Sequence, residues 1–241
     1  MQISQKKNRK RAWEDYLDFF YPECCCGCGQ RLLGSENTLC GRCMEQLAYT
    51  CHEKSGSNPL AARMKSLLPI ETAAALLRFN KEGIIQALLH QLKYQNQPQI
   101  GIMLGRIAGQ RLLDSPVFGS VDFLVPVPLH PKKLKKRGYN QSLLIAQGMN
   151  EFLGKAICPE LLAKRISSQS QTQKNRIARW ENIKENFDLN PEIQQEKKFH
   201  NRHFLLVDDV VTTGATASRC CQELLRIPGS KVSFYAIAHP D

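Results

Sequence analysis

What the chain lacks narrows its class before any motif is read. No run approaches the roughly 18 consecutive apolar residues of a membrane-crossing helix, and the basic start MQISQKKNRKRAW is not followed by the apolar core of a secretory signal. No membrane insertion and a cytoplasmic location are therefore expected. Neither G-x-x-x-x-G-K-[ST] nor G-x-G-x-x-G occurs, which disfavours P-loop NTPases and dinucleotide-binding folds. There is no internal repeat. Cysteine is scarce over most of the chain: of ten, only Cys158, Cys220 and Cys221 lie outside residues 24–51. A disulfide framework would spread them, so the clustering favours a metal site in a reducing compartment.

With 241 residues, 42% of them hydrophobic, the chain can hold one full α/β domain and a smaller module. Lys and Arg number 33 against 22 Asp and Glu, a formal charge of +11, which predicts an acidic partner. Two blocks carry much of it, KKNRKR at 6–11 and KKLKKR at 132–137. Either could be a solvated face; the second has a further reading, given below.

Four segments follow from the pattern. Residues 1–23 are a basic, amphipathic start, 24–51 a cysteine module, 52–71 a Ser-, Gly- and Pro-bearing connection, and 72–241 an α/β domain. In the last, TAAALLRF, VDFLVPVPL, ELLAKRI, FLLVDDV and KVSFYAIAHP read as strands. Between them, EGIIQALLHQLKY, PQIGIMLGRIAGQRLL, NQSLLIAQGMNEFLGKA and ATASRCCQELLRI have helical periodicity. That alternation predicts a mostly parallel sheet with helices on both faces, binding its ligand outside the carboxyl ends of the strands.

The strand FLLVDDV ends in adjacent carboxylates, Asp208 and Asp209, followed directly by Thr212, Thr213, Gly214, Ala215 and Thr216. Side-by-side carboxylates repel, so they need hydroxyl donors or a cation. A Gly-permitted turn entering a helix aims backbone N–H groups and the positive end of the helix dipole at one point, which suits a phosphate. Hydroxyl acceptors beside a phosphate cup are what a ribose 5-phosphate requires. In isolation the same residues could be turn and cap residues with no ligand.

The stretch Val207 to Thr216 closely resembles the phosphoribosyl pyrophosphate (PRPP) signature of type I phosphoribosyltransferases. More narrowly, the chain resembles the ComF family, with its GntX-like members, which joins an amino-terminal cysteine module to such a domain. The resemblance implies a type I phosphoribosyltransferase-like parallel sheet plus a small four-cysteine, zinc-ribbon-like module. By it, Asp208 and Asp209 hold the ribose hydroxyls, Thr212 to Thr216 bind the 5-phosphate, and Mg²⁺ accompanies PRPP. VPVPLHPKKLKKRGYNQS resembles the family's pyrophosphate loop, here Leu129, His130, Lys132 and Lys133, followed by its R-G-[FY]-N-Q element, Arg137 to Gln141. RISSQSQTQKNRIARWENIKENF resembles a polar, cationic lid segment, with Arg165, Gln171, Arg179, Asn182 and Phe187 in the matching places. Arg137, Gln171 and Arg179 are the implied catalytic residues, and Lys93 fits the family's L-K-[FY] element. No acceptor-binding hood is evident after the last strand.

Cys25-x2-Cys28 and Cys40-x2-Cys43, separated by eleven residues, let four thiolates converge on one structural zinc, with Gly27 and Gly41 easing the two knuckles. An iron–sulfur cluster and a metal-free thiol cluster are the competing readings. A second ribbon, present in the fuller family pattern, would need another C-x-x-C that this chain lacks.

Two functions follow. One is a PRPP-dependent transferase with an unassigned acceptor; no general base is identifiable. The other is an accessory protein that binds single-stranded DNA or docks on DNA-uptake proteins and keeps the PRPP fold as a sensor. The family resemblance implies a role in natural transformation under either.

Overall fold

The computed structural model describes residues 22–34, 36–80, 83–164, 187–194 and 196–240. Contacts divide the chain into two compact units, one ending at Leu47 and one starting at Ala48. In the first, a knuckle at residues 25–29 precedes the short helix α1 (Gly41–Glu45).

The second unit is built on a five-stranded parallel sheet in the order β1-β7-β6-β2-β3. Its strands are β1 (Thr72–Arg78), β2 (Phe123–Pro126), β3 (Ala156–Ile157), β6 (His203–Val210) and β7 (Lys231–His239). The central strands are buried almost throughout, as their near-continuous apolar runs predict for a sheet covered on both faces. Phe204 and Leu206 of β6, Val232 and Phe234 of β7, and Val125 of β2 point to one side. There they pack against α2 (Pro59–Leu67) and α8 (Ala215–Leu224) through Leu60, Met64, Ala217, Cys220 and Leu224. The opposite face is covered by α4 (Pro98–Leu113) and α6 (Gln141–Leu153), which contact β7, β6 and β2. These two helices run so close that a Cβ on Gly105 would lie 2.2 Å from the Ile145 carbonyl oxygen, so only glycine fits there. Helix α3 (Ile84–Tyr94) precedes α4.

The expected class is therefore what the chain adopts, a parallel α/β sheet with helices on both faces and a separate four-cysteine cluster. Three segments differ in detail from the sequence pattern. Residues 59–67, within the expected connection, form α2, capped by Asn58 Oδ1 accepting from Ala61 N at 2.9 Å and opened by Pro59. The basic block forms helix α5 (Pro131–Arg137), stopped by Gly138 at φ +82°. The strand in ELLAKRI, β4 (Leu162–Lys164), stays out of the parallel sheet and pairs antiparallel with β5 (Phe187–Leu189), which α7 (Pro191–Gln194) follows.

Strand order fixes where a ligand can sit. After β2 the chain runs through α5 and α6 to β3 on one side, whereas after β6 it runs through α8 to β7 on the other. The adjacent carboxyl ends of β2 and β6 are thus the point where the connections diverge, which opens a crevice.

Candidate active site

Strand β2 last pairs with β6 at Pro126 and Val207, so the next two residues of β6, Asp208 and Asp209, reach past their neighbour into the crevice. Asp208 Oδ1 accepts from Ser142 Oγ at 3.1 Å and from its neighbour's backbone N–H at 2.8 Å. Asp209 Oδ2 pairs with Lys93 Nζ at 2.9 Å. Burial, and then the charge on Asp209, push the Asp208 carboxyl up to about 7 against the opposing effects of Ser142 and Lys93.

That shift gives a testable pH dependence. Between its ordinary range near 4 and about 7, the folded state holds a proton that the unfolded chain has lost, so stability falls as pH rises through this window. Affinity for a ligand that donates hydroxyls to the carboxylate should move the other way, rising about tenfold from pH 6 to pH 8. Calorimetry across that range measures it. Asp208→Asn should remove the dependence, apart from what the ligand's own phosphates contribute, and a profile shared by both proteins would contradict the assignment.

On one side of the acid pair lies a cleft of about 70 Å³ lined by Asp208 and residues 210–217. Gly214 takes φ +79° at the cap of α8, a left-handed conformation in which Ala is strained, and a Cβ there would also sit 3.1 Å from Met64 Sδ. The Thr213 hydroxyl accepts from Ala215 N at 3.4 Å, and Arg63 Nη1 donates to the Thr212 carbonyl at 3.2 Å. Residues 212–216 are thus gathered round one concavity at a helix N-terminus.

On the other side is a larger cleft of about 310 Å³ that shares Asp208, Val210 and Thr216 with the first. Lys93, Lys133, Arg137 and Lys164 line it together with the two carboxylates. Leu129 lines it too, whereas His130 caps α5, its Nδ1 accepting from Lys132 N at 3.1 Å. Lys132 is exposed on that helix. Arg137 is held between the Tyr94 ring, 5.3 Å from its guanidinium carbon, and Gln141 Oε1, which accepts from Nη1 at 2.9 Å. Asn140 donates to the Val127 carbonyl at 3.0 Å, tying the start of α6 to the end of β2. Gln171 and Arg179, with Arg165 and Asn182, lie outside the described residues. Ser142, Arg63 and Lys164 belong to no motif read from the sequence, whereas Tyr94 is the aromatic of the L-K-[FY] element. Of the first three only Ser142, adjoining the N-Q pair at a helix start, carries a local signal.

In the first unit, the sulfurs of Cys25, Cys28, Cys40 and Cys43 all lie within 4.8 Å of one another. Cys28 and Cys40 are 3.8 Å apart, and a tetrahedral site with bonds near 2.3 Å requires about 3.8 Å between sulfurs. Burial opposes ionisation of Cys25, but N–H donors from Cys40 at 3.2 Å and Gly27 at 3.3 Å outweigh it and lower the thiol to about 6. Burial, with the neighbouring thiols, holds Cys43 far above its ordinary value, so without a metal it stays a neutral thiol and a bound cation would have to displace its proton. The donor set can hold a metal ion.

No family model matches the chain. Competence protein F of Haemophilus influenzae is 27% identical over 226 residues, 89% of this chain and 96% of that protein. DNA utilization protein YhgH of Salmonella typhi is 31% identical over 156 residues, 64% of this chain and 66% of that protein. These likenesses bear out the resemblance to the ComF family. YhgH of Escherichia coli K12 is 30% identical over the same length, so these ComF-family matches span 66% of the YhgH proteins' length. Among solved structures, the glutamine PRPP amidotransferase of B. subtilis with ADP and GMP gives a TM-score of 0.40 at 17% identity, covering 61% of this chain and 30% of that one. A hypoxanthine phosphoribosyltransferase from Staphylococcus aureus gives 0.32 at 12% identity, over 60% and 75%. Scores this low add nothing to the topology already described. Among the described residues, no helix is long and apolar enough to cross a membrane.

Proposed function

We propose that the chain binds PRPP with Mg²⁺ at the carboxyl end of β6 and serves the handling of DNA taken up in natural transformation. The observation that carries the first half is the contiguity of three features. The Thr212–Thr216 cup, the Asp208–Asp209 pair and a cleft with four cations adjoin one another, and would take the 5-phosphate, the ribose hydroxyls and the diphosphate in turn. The names of the relatives, Competence protein F and DNA utilization protein YhgH, support the second half.

In a transferase reaction, the bond from ribose C1 to the diphosphate oxygen breaks, the electron pair leaves with the diphosphate, and an acceptor bonds to C1. Lys133 and Arg137 would neutralise the leaving group, and the carboxylates would tolerate positive charge on the sugar. Mg²⁺, when bound, would supply further neutralisation of the diphosphate. The four thiols would hold a structural zinc, a closed four-thiolate site with no position for water.

One observation favours the accessory reading. Among the described residues lining the larger cleft, the only carboxylates are Asp208 and Asp209 and there is no histidine, so none of these offers an imidazole or a further carboxylate as a general base. PRPP would then act as a bound signal while the basic chain, at +11, holds single-stranded DNA through its phosphates.

Fluorescence anisotropy with an unstructured single strand, across a salt series and with or without PRPP, tests the DNA half. The expected slope is about −0.7 per phosphate contacted. Neutralising Lys6, Lys7, Arg9, Lys10 and Arg11 should flatten it. No binding at low salt would remove direct DNA contact and leave a protein partner or the transferase. Release of pyrophosphate with any nucleobase would favour the enzyme; PRPP binding without turnover would favour the accessory role.

A further inference from the structure

Gln141 opens α6, is only 2% exposed and lines the larger cleft but not the smaller one. Its orientation is fixed by chemistry: a guanidinium can only donate, so the oxygen must face Arg137 and the nitrogen is the end left over. That nitrogen, Nε2, is buried and has no hydrogen-bond partner. Native proteins seldom keep a buried amide donor without an acceptor unless the site has another use for it.

Nearby polar groups already have partners. Ser142 donates to Asp208, Asn140 donates to the Val127 carbonyl, and Lys93 pairs with Asp209. Nε2 can only donate, so it calls for an accepting oxygen, and Gln141 lines a cleft walled by four cations, where an anionic oxygen is favoured. A phosphoryl oxygen fits. A ribose hydroxyl is better matched to the carboxylates, and the 5-phosphate to the cup, whose described lining has no cation.

We infer that Gln141 is a specificity-determining residue whose Nε2 donates to the diphosphate arm of PRPP, so that the site distinguishes PRPP from ribose 5-phosphate. This rests on the PRPP reading above. By accepting from Arg137, the same side chain also fixes the guanidinium beside that arm, so one amide sets both donors.

Calorimetry of the full chain with Mg²⁺ and, in turn, PRPP, inorganic pyrophosphate and ribose 5-phosphate tests it. Gln141→Met keeps length and removes the donor. It should weaken PRPP and pyrophosphate about tenfold, leave ribose 5-phosphate unchanged, and hold or raise the ligand-free melting temperature. Gln141→Glu keeps an acceptor for Arg137 while losing the donor and should show the same selective loss. Variants that bind PRPP like the unaltered protein would overturn the inference. So would an equal loss for all three ligands, the mark of a structural role. Failure of the unaltered protein to bind any of the three would instead overturn the PRPP reading and this inference with it.

Discussion

Replacing Asp208 and Asp209 together with Asn is expected to weaken PRPP binding by two or more orders of magnitude. Each carboxylate offers a charge-assisted acceptor worth about 1.5–3 kcal/mol, and about 1.4 kcal/mol is tenfold in affinity. Asp208→Asn alone, which leaves the Lys93–Asp209 pair in place, should also be more stable than the parent above pH 7. Burial holds the Asp208 carboxyl up at about 7 and the charge on Asp209 adds to the shift, so deleting the charge relieves a strain that the fold carries. Each kcal/mol recovered should raise the melting temperature by roughly 2–4 °C. The combination matters, because lost binding with a lowered melting temperature in that single variant would mean only a damaged fold. Thr213→Val serves as a milder contrast: one hydroxyl is lost from the cup while the backbone donors remain, so the affinity loss should be smaller. Calorimetry with unchanged affinity in the double variant would remove the acid pair from the site.

The second large effect concerns the four thiols. Protein purified without added metal should contain one zinc per chain, and Cys25→Ser with Cys40→Ser should contain none. Structural zinc contributes about 10–16 kcal/mol of apparent binding energy at neutral pH, far more than a unit this small gains from its core. The unit ending at Leu47 should therefore become open to proteolysis. The unit from Ala48 should stay folded and keep its PRPP affinity, because the core cluster spanning Leu60 to Ala236 is its own. A full metal count in the variant would refute the ligand set, and a brown protein absorbing visible light would indicate iron and sulfur.

Long elements with one dominant period were readable from the sequence. The apolar runs of β6 and β7, the helical repeat of α3, α4 and α6, and the Asp-Asp-to-Thr turn each had a local cause, and the structure places them as that cause requires. Short elements were not. Helix α2 was hidden by the small, polar residues that precede it, although Asn58 before Pro59 was a legible start signal. In α5, seven residues dominated by lysine show no apolar face, and only Pro131 and Gly138 mark its ends. The β4–β5 pair joins two three-residue strands across residues 165–186, a pairing that no local pattern announces. Contacts distant in sequence were equally invisible: Ser142 to Asp208, Lys93 to Asp209 and Arg63 to Thr212 arise only when the sheet assembles. Thus the acidic pair and the turn after it could be read directly, whereas the contacts that orient and neutralise them could not.

A crystal structure of the full chain grown with PRPP and Mg²⁺ tests the central claim most directly. The account predicts the 5-phosphate within hydrogen-bonding distance of the Thr213–Thr216 backbone donors, both ribose hydroxyls on Asp208 and Asp209, and the diphosphate beside Arg137. PRPP bound elsewhere on the chain, or bound with its diphosphate in the Thr212–Thr216 cup, would contradict it.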